Sequence, residues 1–493
     1  MTASKPNDAP LKIGKRTFLV AFFILLALMI AVGVLTRVIP AGSYLREQIG
    51  GKEVLVADSF QLTQAQPLPV YRWFTAPLEV LGGPDGAVIA VIVFFLLAVS
   101  MAFSLLEKSE ILNLVILRTV ERFSRRKYLL MAVIVFFFML MGAALGTFEE
   151  NIALVPLMVA LSYCLGWDTL VGLGMSMLAS CFGFTAAITN PFSIAITQKI
   201  ADLPLYSGFG YRLVIFAAFY ATVYGFLRRY ARKIEKNPEA SLVYAEDAAL
   251  REKYRDVDSI RQAFAHQDAQ AARRTRRAGL VFACCMGLIV LWVAAASALP
   301  ALSDLSLPII GLLLLAGALV AAAVAGLPGK RQLACMGSAA AGIAPGILLI
   351  LMAMSVKWII SQGGIMDTIL HATAQAILTT SPYLAILLVY ALILLLELFV
   401  GSSSAKAFLV MPLIAPLSDL VGITRQTSIL AFCFGDGFSN ILYPTNPVLL
   451  ICLGLTVVSY PRWIRWTYKL QLFSFGLACV FLLLGVAMHY GPF

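Results

Sequence analysis

PLMVALSYCLG, residues 156–166, returns as PLIAPLSDLVG at residues 412–422, with Pro, Leu, Leu, Ser and Gly at matching places 256 residues apart. The triplet Thr-Asn-Pro stands at Thr189–Pro191 and again at Thr445–Pro447, at the same offset. Gly146 and Gly401, and Tyr128 and Tyr383, carry the correspondence upstream with a one-residue slip. A CFG triplet at Cys181 has only an echo at Cys433, four residues out of register, and adds little. A duplicated apolar chain, interrupted by Gly, Pro and Asn at corresponding points of its halves, is the pattern of a secondary transporter.

The composition agrees. The 493 residues are 60% apolar and 13% charged, which describes an integral membrane protein and not a large soluble core. Stretches long enough to cross about 30 Å of hydrocarbon include Thr17–Thr36, Gly86–Leu106, Gly279–Leu299 and Leu470–Tyr490. The first is too long for a signal-peptide core and lacks a small-residue cleavage site close behind it, so it reads as a retained helix. The net charge of +11 sits at helix ends and in one polar loop, as the positive-inside rule produces; nothing builds a basic groove with stacking aromatics for nucleic acid. The eight cysteines lack CxxC or Cys/His spacing, so neither a metal site nor a disulfide framework is indicated.

The charged stretch from Arg228 to Arg277 opens with RRYARK, closes with RRTRR and divides the chain. Its basic ends place it in the cytoplasm as a solvated linker between the halves, and Lys12, Lys15 and Arg16 put the N-terminus on the same side. An outer segment follows the first helix to residue 85, with an amphipathic run at Tyr71–Val80. Lys108, Arg118, Arg122, Arg125, Arg126 and Lys127 mark a basic interfacial helix, whereas the counterpart at Ser361–Pro382 has no Lys or Arg. An inverted repeat predicts that asymmetry. Apolar arms Tyr128–Leu145 and Ile152–Gly166 flank the tip GTFEEN, and arms Tyr383–Val400 and Ala407–Val421 flank GSSSAK. They are read as re-entrant hairpins, at 128–166 and 383–423, one from each side. Asp168–Leu203 and Thr427–Tyr460 are too long for single straight spans, and the proline in each triplet predicts unwound backbone at Asn190 and Asn446. The expectation is an all-α polytopic protein of about nine spans plus two hairpins, N-terminus inside and C-terminus outside. Its parts are 1–85, a first repeat at 86–227, the linker at 228–277, additional helices at 278–332 and a second repeat at 333–493.

The tips GTFEENIALVPL and GSSSAKAFLVMPL, with ITNPF and FGDGFSNILYPTNP, resemble the C4-dicarboxylate carrier branch of the ion transporter superfamily, specifically its YfcC-like members. The resemblance runs from Gly86 onward. It implies a bacterial inner-membrane carrier with a scaffold domain (including 278–332), a moving transport domain that holds both hairpins and both broken helices, a homodimer, and elevator-type alternating access. YfcC-like proteins are described as carriers of dicarboxylates or of basic amino acids. Sodium-coupled dicarboxylate symporters of the superfamily carry Ser-Asn-Thr at both tips, which this chain lacks.

Candidate site residues follow from what costs energy inside a membrane. Glu149 and Glu150 are carboxylates at depth, each costing about 2.5–3.5 kcal/mol on insertion scales, so they belong against a cavity or a partner. They could relay a proton or hold a substrate ammonium; alternatively Thr147 and Glu150 form a capping box, next to Asn151. Ser402, Ser403, Ser404 and Lys406 form the mirror tip, suited to a carboxylate. Lys406 occupies the repeat position of Glu150, and the two could pair. Asn190 and Asn446, with Thr189 and Thr445, offer oxygens to a cation or substrate, or merely break the helices. Asp436, with Ser439 and Asn440 close behind, suits a cation; Glu397 suits a proton or Lys406 itself. Lys357 is expected to snorkel to an interface, and His371 carries little signal.

Two tips of opposite charge suit an amino acid somewhat better than a dicarboxylate, carried by exchange or proton coupling, with H+ or Na+ as the possible coupling ion and no cofactor. The C4-dicarboxylate reading is the alternative. No catalytic spacing supports an intramembrane enzyme, no Walker loop an ATP-driven pump, and no repeated filter a channel.

Overall fold

A computed structural model describes residues 15–49, 52–56, 58–63, 68–112, 114, 126–255, 269–298, 302 and 305–491. These are helical almost throughout; two short antiparallel ribbons, Gly42–Ser43 with Gln61–Leu62 and Arg46–Ile49 with Lys52–Leu55, lie between the first two helices. Among the described residues nine helices are long and apolar enough to cross a membrane: Phe18–Val38, Gly86–Lys108, Lys127–Leu145, Thr169–Ile200, Phe209–Lys236, Gln270–Val293, Ser306–Ala325, Gly329–Gly363 and Tyr460–Ala487. The protein is a multi-pass membrane protein. The nine are not the nine expected from sequence. The first arm, 127–145, qualifies with 19 residues, while the second broken helix drops out because its pieces, Arg425–Asp436 and Pro447–Gly454, have 12 and 8 residues.

One order of elements occurs twice. The 86–108 helix, the arms 127–145 and Glu150–Cys164, a broken helix 169–200 and the 209–236 helix are answered by the 329–363 helix, Pro382–Glu397, Ser403–Leu420, the broken pair 425–436 and 447–454, and the 460–487 helix. The basic helix expected near Arg118 and Arg122 lies outside the described residues, whereas its counterpart is Met366–Leu378. Between the two sets, Ala269–Ala298 packs on Ser306–Ala325, which in turn packs on the 86–108 helix.

The broken helices form the centre. The first is enclosed on all sides, and the two cross where the Phe182 and Phe438 rings stack with centroids 6.0 Å apart. The 127–145 arm lies backbone to backbone on the first broken helix: a Cβ at Gly142 would sit 2.2 Å from the Ser180 carbonyl oxygen, and one at Gly183 1.9 Å from that of Met139. Small residues permit such an approach in a membrane, where dispersion contacts and not water expulsion drive helix association.

The polar ends are more structured than a solvated linker and loose loop. The 209–236 helix absorbs RRYARK, and RRTRR lies inside the 269–298 helix. Between them Ser241 and Asp247 are buried. Asp168 caps the first broken helix by accepting from Val171 N, and its other oxygen accepts from Tyr230 Oη and Ser241 Oγ, each at 2.7 Å. Asp247 accepts from Thr169 Oγ1 at 2.7 Å, and Glu246 pairs with Arg462 at the start of the 460–487 helix. The linker therefore corrects its sequence reading: buried acids at a helix N-terminus need donors, and residues 241–247 bring them. On another polar surface Asp367 accepts from Tyr44 N and Arg46 Nη2, and His371 stacks on Phe60 and bonds Tyr44 Oη, so His371 anchors the ribbon segment. Lys357 pairs with Asp85 at 2.8 Å.

Burial pushes the Asp247 carboxyl up to about 6; hydrogen bonds from Tyr163 and Thr169 oppose that shift, and the neighbouring Asp168 adds to it. An acid whose docked pKa exceeds its free value of about 4 stabilises docking below that value and loses the contribution as pH rises through about 6. Protection of the 237–255 amides, corrected for their intrinsic base-catalysed exchange, should therefore fall between pH about 4 and about 6 and level off above, and Asp247→Asn should remove that fall. Independently, Gly183→Val should destabilise the protein by about 1–3 kcal/mol, read as a lower melting temperature in detergent.

Candidate functional site

Both Thr-Asn-Pro triplets break a helix in the same way. Asn190 Oδ1 accepts from Phe192 N at 2.8 Å and Ser193 N at 3.3 Å; Asn446 Oδ1 accepts from Val448 N at 3.0 Å and Leu449 N at 3.3 Å. Each proline sits in the first turn, where no intrahelical partner for its nitrogen is needed, and the asparagine satisfies the donors that follow. The expected side-chain oxygens are thus committed to capping. What remains open is Asn190 Nδ2, buried without a hydrogen-bond partner, as are the hydroxyls of Ser193 and Thr445. Asn446 Nδ2 instead donates to Asn440 Oδ1 at 2.6 Å. Thr189 ties the first break to the first arm through Ala143 O and Ala144 O. Gly146 closes that arm at φ +71°, where a Cβ would lie 2.3 Å from Asn190 Oδ1.

The second tip contains an ion cluster. Lys406, fully buried in the first turn of 403–420, pairs with Glu397 and with Asp436 Oδ1, the latter at 2.7 Å. Ser403 Oγ donates to Asp436 Oδ2 and lies 3.3 Å from the Phe192 carbonyl oxygen, which joins this tip to the first break. Asn440 donates to the Asp436 main-chain oxygen. Glu397 and Asp436 are the last residues of their helices, where aligned carbonyls already concentrate negative charge. Ser402 is the N-cap, accepting from Ala405 N at 3.4 Å, and Ser404 is partly exposed.

The first tip differs. Thr147 does not cap Glu150; its carbonyl and hydroxyl accept from Asn151 Nδ2, which also donates to Ser180 Oγ at 2.8 Å. Glu149 is exposed at the turn, and Glu150 meets the Ser306 side chain. The 150–154 turn packs against the 306–325 helix and the 447–454 half-helix. The expected Glu150–Lys406 pair does not form. Two helix C-termini hold Lys406 more strongly than the repeat partner could, and Glu397 turns out to be its buried partner. Tip one thus meets the second break and tip two the first, so both tips and both breaks form one region.

Sequence reading missed Arg212. It is buried, and its guanidinium donates to the carbonyl oxygens of Ile188, Tyr206 and Ser207, with Nε unpartnered. The Ile188 bond places a cation on the negative end of the first half-helix. A basic residue near a helix start looks like an interfacial charge in sequence, and nothing local marks it as buried. The region carries Glu149, Glu150, Glu397 and Asp436 against Lys406 and Arg212, and among the described residues neither tip-one acid has an ion pair.

Residues 18–487 match the profile of the family described as C4-dicarboxylate anaerobic carrier. The chain is 29% identical over 484 residues to an Escherichia coli K12 protein named "Putative basic amino acid antiporter YfcC", covering 91% of this chain and 92% of that one. Among solved structures it is similar to the YdaH transporter of Alcanivorax borkumensis (19% identity, 97% of this chain and 100% of that one, TM-score 0.40). It is likewise similar to MtrF of Neisseria gonorrhoeae, titled as illuminating a class of antimetabolite efflux pumps (16%, 95% and 94%, TM-score 0.41).

Asn190→Asp keeps the capping oxygen but puts an ionisable acid in a fully buried place, so its melting temperature should fall below wild type and recover as the pH is lowered. Asn190→Ala should lose about 1–2 kcal/mol with the cap. Asn446→Ala should cost more than Asn190→Ala because Asn440 also loses its donor. Thermal unfolding of the three purified variants measures the order.

Proposed function

The chain belongs to the C4-dicarboxylate anaerobic carrier family, a family of transporters and not enzymes, and from that premise we propose a secondary carrier of a small carboxylate-bearing metabolite, with an amino acid, basic ones included, as the favoured substrate. The observation that carries this reading is the charge of the region where tips and breaks meet. The region holds four carboxylates and two cations; Lys406 is committed to two of the acids and Arg212 to carbonyls, while among the described residues Glu149 and Glu150 have no ion pair. A dianionic dicarboxylate would enter a field already negative, whereas an amino acid brings the missing positive charge in its ammonium or side chain. Its carboxylate suits the hydroxyls and free amides at the half-helix and second-tip N-termini. The Escherichia coli relative's name points the same way.

In this reading the arms 127–145 with 150–164, and 382–397 with 403–420, are the two re-entrant hairpins of an inverted repeat. With the broken helices they form the moving body of an elevator, against a scaffold that includes 269–298 and 306–325. The linker is cytoplasmic, and the carrier is a homodimer in the bacterial inner membrane. The C4-dicarboxylate alternative keeps the support of the family description and of the unpartnered Arg212 Nε.

Proteoliposomes preloaded with arginine, ornithine or fumarate distinguish the two. Labelled arginine should exchange against internal arginine or ornithine, and Glu149→Gln should cut the exchange at least about tenfold, the order expected for losing a charge-assisted contact. Fumarate uptake that survives Glu149→Gln, without arginine exchange, would move the chain to the dicarboxylate reading.

A further inference from the structure

Lys406 stands where a free cation would otherwise be needed. Two helices, 382–397 and 425–436, end side by side, each on a carboxylate, so two side-chain charges and two negative helix poles converge. The point is fully enclosed: Lys406 and Asp436 are at 0% exposure and Glu397 at 3%. The shell round the ammonium has the composition of a monovalent-cation site, with Asp436 Oδ1 at 2.7 Å, Glu397 Oε2 in contact and the Ser403 hydroxyl on the second Asp436 oxygen. One oxygen of that shell, Glu397 Oε1, is buried and unpartnered, so the ammonium does not exhaust the available ligands. Lysine is also an unusual choice for the first turn of a helix, where the dipole disfavours a cation. Nothing in the 403–420 helix asks for it; the two helix ends facing it do.

We propose that Lys406 is a built-in cation, a tethered ammonium occupying the position that Glu397, Asp436 and Ser403 offer to a free monovalent ion. The second tip is then held to the second break without an ion from solution, and the carrier exchanges its substrate with no sodium requirement. This consequence for coupling rests on the carrier reading; the occupancy of the position does not, and the test below reads occupancy through stability alone.

Lys406→Ser removes the ammonium and leaves a hydroxyl. Purified wild type and Lys406→Ser are melted in sodium, potassium or lithium chloride and in N-methylglucamine chloride at equal ionic strength. The wild-type melting temperature should be the same in all four. That of Lys406→Ser should rise saturably, by several degrees, with at least one small cation, and methylammonium should substitute for it. Adding both Glu397→Gln and Asp436→Asn to Lys406→Ser should abolish the response. If Lys406→Ser is not recovered folded, Lys406→Ser/Glu397→Gln takes its place, since a single remaining carboxylate leaves one charge to match. A variant without any cation-dependent shift overturns the proposal. So does failure to recover either variant from buffers rich in all three cations, or a wild type that already shows the same sodium-specific rise. A wild type that shows no arginine exchange, beside an intact cation response in Lys406→Ser, would leave Lys406 assigned and would count against the substrate reading only.

Discussion

Two helix C-termini that end on carboxylates in one enclosed place must be given a positive charge, and the arrangement of the second repeat follows from that need. Breaking a buried pair by removing one partner costs about 3–5 kcal/mol, because the survivor is left as an uncompensated charge in a medium that solvates it poorly. Lys406 meets the need from a third helix, so the 382–397 arm, the 403–420 arm and the 425–436 half-helix are joined at a single nitrogen. Ser403 extends the junction to the Phe192 carbonyl oxygen of the other broken helix. This cluster of buried ion pairs and hydrogen bonds ties the second tip to both breaks.

The breaks themselves obey a second constraint. Backbone groups at membrane depth tolerate irregular geometry only when every donor and acceptor has a partner or faces a cavity. Thr-Asn-Pro satisfies that requirement within three residues: proline removes one donor, asparagine accepts from the two donors after it, and the threonine backbone or hydroxyl is free to reach a neighbour. In the first break Thr189 reaches the 127–145 arm; in the second Asn446 reaches Asn440 instead. The motif is symmetric in its capping and asymmetric in its remaining contacts. The groups that capping leaves over in the two breaks are Asn190 Nδ2, Ser193 and Thr445.

Much of this was legible in the sequence, and the limits have physical causes. The 256-residue repeat and both breaks follow from apolar patterning and proline chemistry, and the cost of buried charge singles out Lys406 and Asp436, which the structure buries as a pair. The partner of Lys406 was harder. Repeat symmetry pointed to Glu150, but symmetry relates positions in the fold and does not decide which groups touch. The contact with Glu397 depends on how one arm folds back on the next. Asp247 and Ser241 lie in a stretch whose composition matches a solvated loop; only the unmet donors at the 169–186 helix reveal why they are buried. Arg212 resembles an interfacial charge until the Ile188 carbonyl is placed beside it.

The repeat also inverts charge, and that inversion bears on selection. At equivalent positions the first tip has Glu150 and the second Lys406, which suggests a carrier that neutralises itself across its pseudo-two-fold axis. It does not, because the second tip needs its lysine for its own helix ends. Among the described residues the acids of the first tip have no ion pair: Glu149 is exposed at the turn, and the 150–154 turn that begins with Glu150 packs against the 306–325 helix and the 447–454 half-helix. A carboxylate at depth is retained when something of opposite charge reaches it for at least part of the working cycle. Among the described residues Lys406 and Arg212 are committed elsewhere, and on the carrier reading proposed above the opposite charge is brought by a cationic group of the substrate or by a proton.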